Sequence, residues 1–416
     1  MDYYTLGSII LTIAVLIGYI NHRFIHLQAT IALMLASLLI SLLLIVLQHS
    51  GVTTLSTQAV EWIRRTHFQH FLLKGILSFL LFAGSLTIDF TALRQQKWEI
   101  GILASLTTIA STLIVGVLLF YLLPLIGIYL PILYCLLFGA LISPTDPIAV
   151  LATFKKLGVS KRLQTCVAGE SLFNDGVGIV IFITLFQLTF MNKNISLSTV
   201  SLLFLKQAVG GLAYGVLLGM FTRYLIKSVQ DHAIIILVTL GMVSGGYSLA
   251  LWLGISGPLA MVVLGISTGK VLRYPTQTAL SSSVYIFWEV IDEVLNFVLF
   301  LLIGFEMMLI SVNSTHLVAM LLTVPLVLAV RLITVAVPIK LISLKRAQDP
   351  YTIAILTWGG LRGGLALALA LTLPLSSEFN IILSMTYAVV AFSVIVQGLT
   401  ITPLARLSQR IASSRL

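Results

Sequence analysis

Charged side chains make up only 9% of this 416-residue chain, against 59% apolar. Soluble domains carry about 25% charged residues, so the balance excludes an ordinary soluble fold and points to a polytopic membrane protein. Cysteine is nearly absent. Cys135 and Cys166 lie in or near apolar runs without metal-ligand spacing, which excludes a disulfide framework and a thiolate metal centre. His22, His26, His49, His67, His70, His232 and His316 lie in loops or near the ends of apolar runs. Haem held by a mid-membrane histidine pair is therefore excluded. No G-x-x-x-x-G-K-[ST] occurs, so nothing supports ATP-driven work by this chain alone, and no H-E-x-x-H occurs. Linkers and low-complexity tracts are also missing, and so is a T-V-G-Y-G-like filter run.

The chain is instead rich in apolar runs of helix length. They divide it into about thirteen spans, near 4–20, 24–47, 70–90, 99–123, 130–153, 164–190, 201–226, 233–251, 254–271, 285–309, 316–343, 351–373 and 379–403. The first follows Asp2 rather than a basic segment and has no small-residue cleavage signal after it, so it is expected to be retained as a span. The formal net charge is +10, but the basic residues are scattered over short connections instead of forming a nucleic-acid-binding face. With the N-terminus outside, 17 of the 24 Lys and Arg fall on the cytoplasmic side. The positive-inside rule thus places the N-terminus outside and the C-terminus inside. The connection from about Gln48 to Gln69, with Trp62, Arg64 and Arg65, suits the outer interface.

Against this apolar background the stretch Ala140 to Val180 is unusual, because it places Asp146, Glu170 and Asp175 inside membrane runs. Each carboxylate at the bilayer centre costs roughly 2.5 to 3.5 kcal/mol on insertion scales, so three in neighbouring spans indicate a site. Ser143-Pro144-Thr145-Asp146-Pro147 lies near the middle of the fifth run, where two prolines remove amide donors and free carbonyls. A broken helix is expected there, of the kind from which transporter sites are built. On the sixth run, Ser171 and Asp175 share one helical stripe while Glu170 and Asn174 share the adjacent one. One helix can therefore offer one carboxylate to an ion and another to a structural partner.

The twelfth run carries Trp358-Gly359-Gly360-Leu361-Arg362-Gly363-Gly364, a cluster that weakens helix and permits close backbone approach. Two interrupted runs in corresponding places of the two halves, running in opposite directions, are the mark of inverted repeats with a site at the midplane. Asp175 and Arg362 each fall roughly 16 Å deep, by helical rise, and are expected to meet. Thr145, Ser171 and Asn174 add oxygens to Asp146 and Asp175, the environment a hard monovalent cation requires once dehydrated. Glu170 and Arg362 are expected to form a buried pair with a structural and electrostatic role. Asp89 reads as a loop charge beside Arg94. Glu289, Asp292 and Glu293 are expected in the first turns of the tenth span, where they suit the helix dipole or line a cation-attracting funnel. Asn296 reads as a contact deeper on that helix, and the partner of Arg331 is open.

Taken in order, Thr145-Asp146-Pro147, Gly169-Glu170-Ser171-x-x-Asn174-Asp175, Phe287-Trp288-Glu289 with Leu302-Ile303-Gly304, and Gly360-Leu361-Arg362-Gly363 resemble the signature of sodium/proton antiporters. The resemblance is to NhaP-type members of the cation:proton antiporter superfamily, from about residue 70 to Pro403. It implies an all-α membrane protein of the sodium/proton antiporter fold and a homodimer in a bacterial or archaeal inner membrane. Within each protomer it implies a moving core, about 99–190 and 316–403, and a dimerisation scaffold, about 4–90 and 201–309. It further implies that Asp146 and Asp175 with Thr145 and Ser171 bind the sodium ion and the proton, while Asn174, Glu170 and Arg362 shape the site. An Asn-Asp pair implies electroneutral exchange. One departure stands out: where several relatives carry an acidic residue in a Phe-Glu-Gly-Gly-like run, this chain has Phe82-Ala83-Gly84-Ser85.

The expectation is a secondary antiporter, not an enzyme, in which sodium or lithium and protons alternate at one site without a cofactor or nucleic acid. Potassium/proton exchange shares every motif. A cation channel is the alternative from another class.

Overall fold

The computed structural model describes residues 3–50, 72–190, 197–273, 278–309, 313–344 and 351–413. Most of the connection expected at the outer interface, including Trp62, Arg64 and Arg65, lies outside these residues, as does Lys193. Backbone groups in lipid must be satisfied within the protein, and the described chain does this almost entirely with helices.

The elements are α1 (Tyr3–Ile20), α2 (Ala29–His49), α3 (Leu77–Leu86), α4 (Phe90–Gln95), α5 (Lys97–Ile126), α6 (Ile132–Ile142), α7 (Ile148–Leu157) and α8 (Lys161–Phe190). After these come α9 (Leu197–Lys227), α10 (His232–Leu253), α11 (Gly257–Leu272), α12 (Thr278–Phe305), α13 (Ser314–Ser343), α14 (Thr352–Trp358), α15 (Gly364–Ala370) and α16 (Ser377–Ser408). Eight of the described helices are long and apolar enough to cross a membrane, and α3, α6 and α11 are shorter apolar helices.

The fifth and twelfth runs are both interrupted. The fifth is split into α6 and α7 by Ser143 to Pro147, and the twelfth into α14 and α15 by Gly359 to Gly363. Steric exclusion of helix before each proline breaks the first. Glycines whose neighbours occupy the space of a side chain break the second. One expectation is corrected here: α12 begins at Thr278, so Glu289, Asp292 and Glu293 lie about three to four turns into the helix rather than in its first turns. Asp89 lies outside the core, where it caps α4 through the Thr91 amide at 2.8 Å and stands 3.8 Å from Arg273.

Small residues bring the helices together. Gly211, Gly215 and Gly219 form a one-sided stripe on α9 where an added Cβ would strike Ser256, Ala260 and Ser267 of α11 or its approach. This is the small-xxx-small packing by which membrane helices gain contact without a hydrophobic driving force. Gly265 and Gly269 on the other side of α11 press in the same way against the backbone of α3 at Phe82 and Leu86. A separate buried cluster, including Val150, Phe154, Val335, Ile355, Leu361 and Ile401, packs α7 and α14 against α13 and α16. It fixes one half of each interrupted helix, and so the position of the breaks.

Candidate functional site

The two breaks meet. The amide of Asp146 donates to the carbonyl of Leu361 at 2.7 Å, so the extended segments cross antiparallel as an isolated bridge. Gly363 makes the approach possible, because a Cβ there would collide with the Asp146 carboxylate.

α8 grips the first break from the side. The Asn174 side-chain amide donates to Thr145 Oγ1 at 2.8 Å and its oxygen accepts from the Thr145 amide at 3.3 Å. Ser171 Oγ donates to the Thr145 carbonyl. The exposed orphan groups of a broken helix are thereby satisfied by one neighbouring helix. Gly178 of α8 completes the fit, since a side chain there would meet the ring of Pro144.

Each break also leaves carbonyls at a helix C-terminus, where partial negative charge gathers. Arg362 answers the first: its Nη1 donates to the Ser143 carbonyl at 2.6 Å and the Pro144 carbonyl at 3.0 Å, just beyond α6. Arg331 of α13 answers the second, donating from Nη2 to the Leu356 carbonyl in the last turn of α14 at 3.0 Å. Gln397, in a π-helical turn of α16, donates to the Trp358 carbonyl at 3.0 Å and accepts from Ser393 Oγ at 2.6 Å.

The expected Glu170–Arg362 ion pair is corrected by this arrangement. Glu170 pairs with Arg331 at 2.6 Å, and both side chains are buried. The reason is steric and electrostatic. Arg362 sits within the second break and turns to the freed carbonyls of the first, while Gly360, without a Cβ, leaves the space that the Arg331 guanidinium fills. An arginine inside a span was itself the signal that this residue has a task. Gln397 gave no such signal, being one more polar residue near a span end.

Asp146 and Asp175 differ from this framework. Thr145, Glu170, Ser171, Asn174 and Arg362 are all at most 5% exposed, whereas Asp146 and Asp175 are partly open to solvent. Asp146 Oδ1 accepts from the Ile148 amide at 3.0 Å, at the positive end of α7. Asp175 lies within electrostatic reach of both Asp146 and Arg362, and Asp292 on α12 lies within reach of Asp146. The pair thus keeps some exposure beside buried polar groups that hold the two breaks together. Thr145, Ser171, Glu170, Arg331 and Gly360 also border a small cavity just behind it. The acidic position missing from the third span is filled by buried Ala83, next to Phe82, whose ring lies tilted against Trp288 with centroids 4.6 Å apart. Among the described residues no group of three or more His, Cys, Asp or Glu is placed to hold a metal ion.

A helical membrane protein whose two interrupted helices cross at a pair of accessible carboxylates is a transporter of the broken-helix class. The profile described as "Sodium/hydrogen exchanger, transmembrane" matches residues 10–407, and the chain belongs to that family. It is 41% identical over 401 residues to the Na(+)/H(+) antiporter NhaP of Pseudomonas aeruginosa, with 95% of each chain covered. It is 35% identical over 350 residues to the Na(+)/H(+) antiporter NhaH of Halobacillus aidingensis, covering 82% of this chain and 83% of the relative. The fold matches the structure of the sodium proton antiporter MjNhaP1 from Methanocaldococcus jannaschii at TM-score 0.76 and 19% identity, with 96% of each chain covered. The protein is a multi-pass membrane transporter rather than an enzyme.

Proposed function

We propose that this chain is a secondary antiporter that exchanges sodium or lithium for protons, one for one, by exposing a single carboxylate site to each side of the membrane in turn. The observation that carries the reading is the contrast at the crossing. Asp146 and Asp175 keep an intermediate exposure, while the polar groups around them are buried and hold the breaks together. A carboxylate withdrawn from bulk water binds either a proton or a dehydrated monovalent cation, and occupancy by one excludes the other. Asp146 and Asp175 take the ion, with Thr145 and Ser171 lending oxygen as it settles. Asn174, Glu170 and Arg362 keep the site in shape, and Arg331 joins them.

Asn174 contributes no charge, so the site holds two carboxylates against the Arg362 guanidinium nearby. That balance favours electroneutral exchange. Residues of about 99–190 and 316–403 act as the moving core and about 4–90 and 201–309 as the scaffold. The broad exposed apolar surfaces of α1 and α9, among them Val15, Leu16, Leu202, Leu217 and Phe221, suit lipid and a second copy of the chain. The N-terminus lies outside and the C-terminus inside, in a bacterial or archaeal cell membrane, where the exchange serves pH homeostasis.

The test is transport by purified protein in proteoliposomes, with sodium, lithium and potassium supplied separately and a proton-gradient dye as readout. Sodium-dependent dequenching that is lost in Asp175→Asn and unaltered by collapse of the membrane potential is the expected result. Exchange at the wild-type rate in Asp175→Asn removes that residue from the mechanism. Potassium alone driving exchange selects the alternative cation, and unitary currents select a channel.

A further inference from the structure

One stripe of α12, continued by its terminal turn, carries Asp292, Asn296, Leu299, Ile303 and Glu306 at helical spacing. Its middle lies against the second break, where Gly364 is in contact with Leu299 and Ile303. Both apolar side chains are buried, at 5% and 0% exposure. They form a seal. On one side of it Asp292 is partly accessible and within electrostatic reach of Asp146.

On the other side Glu306 is 2% exposed, and neither of its carboxyl oxygens has a hydrogen-bond partner among the described residues. The hydroxyl of Tyr387 on α16, a residue 3% exposed, is likewise unpartnered and within electrostatic reach of Glu306. No other charged group among the described residues acts on Glu306, and α2, packed against its turn, presents Ser37 and Ser41, which are bonded to backbone carbonyls. A carboxylate enclosed without donor or counter-charge is far costlier than the neutral acid.

We propose that Glu306 and Tyr387 form a second proton-binding station, sealed from the Asp146/Asp175 site in this conformation and joined to it when the crossing opens to the opposite side. The proposal rests on the antiport reading. In the sealed state Glu306 holds its proton. When that side opens, the acid O–H bond breaks, the proton passes to water of that side, and the carboxylate left behind draws the incoming cation toward the site. On resealing, a proton from the same solution returns, so the exchange ratio is unchanged. The station resembles Asp292 in role, mirrored across the Leu299/Ile303 seal.

Glu306→Gln copies the neutral acid in shape and removes its titration. In sodium-driven exchange by proteoliposomes, the variant should match the wild type at the acidic end of the pH range, where both side chains are neutral. At the alkaline end its apparent KM for sodium should be about threefold to tenfold higher, because the cation-focusing carboxylate is gone. Tyr387→Phe should alter KM in the same alkaline window and leave the acidic end unchanged. Superposition of Glu306→Gln on the wild type at every pH overturns the station while leaving antiport intact. Absence of sodium/proton exchange in the wild type overturns the antiport reading itself. Should Glu306→Gln not reach the membrane, Tyr387→Phe decides alone: superposition with wild type at every pH overturns the station.

Discussion

The amide of Asp146 and the carbonyl of Leu361 are 2.7 Å apart, and this single backbone hydrogen bond joins the two interrupted helices at their breaks. It places a carboxylate-bearing residue from one half of the chain beside a guanidinium-bearing loop from the other. Arg362, next to Leu361, returns the contact by donating to the carbonyls of Ser143 and Pro144. The two loops therefore satisfy each other's backbone. Neither break is stable without its partner, because exposed peptide groups away from water cost several kcal/mol each in hydrocarbon.

Gly363 is the contact that sets how closely the loops approach. Its backbone is extended, at φ −110° and ψ −161°, so alanine meets no conformational penalty, only the Asp146 carboxylate in the space of its methyl group. Gly363→Ala is expected to insert and fold, yet lose exchange on the order of tenfold to a hundredfold, the scale of a displaced reactive group. Transport rates normalised to membrane content measure this. A variant with wild-type rate shows that Asp146 does not need its observed position.

Glu170 and Arg331 form the buried ion pair, and Arg362 does not replace either partner. Removing one member of such a pair costs roughly 3 to 5 kcal/mol, since the other is left as an uncompensated charge. Thermal unfolding in detergent of Glu170→Gln, Arg331→Gln and the double variant should give strong coupling, with the double variant less destabilised than the sum of the singles. The cycle for Glu170→Gln with Arg362→Gln should show weaker coupling. Equal coupling in both cycles contradicts the pairing.

Much of this is legible in the amino-acid sequence. The low charge content fixed the membrane class, and Pro144 and Pro147 around Thr145-Asp146 announced the first break. The glycines of 359–364 announced the second. What the chain alone left open was the choice among arginines. Arg331 and Arg362 both lie inside spans, and the selection of Arg331 by Glu170 depends on the space vacated at Gly360, a three-dimensional property. Nor does the sequence single out Glu306, whose enclosure is a property of the packed helices. The start of α12 at Thr278 was hidden because Ser281, Ser282 and Ser283 carry no apolar signal.

Asn174 serves Thr145 twice, through its amide nitrogen and its oxygen. Asn174→Ala leaves the buried Thr145 amide and hydroxyl without those partners, a loss of about 1–3 kcal/mol for each unsatisfied group. Thr145→Ser keeps the hydroxyl and amide and is expected to be mild. Melting temperature and exchange rate should both fall in Asn174→Ala and remain near wild type in Thr145→Ser. The reverse order refutes the clamp.

Competition between cation and proton fixes the pH dependence. When one proton and one sodium ion contend for the same oxygens, the proton-loaded fraction rises as pH falls, and that fraction is closed to sodium. Below the titration midpoint of the site the apparent KM for sodium therefore rises about tenfold for each unit of pH, by proton linkage. Saturating sodium displaces the proton on the side it enters, so with equal pH on both sides the maximal rate should not fall as pH falls, but it should fall above the midpoint, where the return leg lacks a proton from the opposite side. Initial rates over a grid of sodium concentrations and pH values test both limbs. A maximal rate that falls with pH while KM stays constant places the inhibiting proton on a group other than Asp146 and Asp175, and the single shared site is then lost.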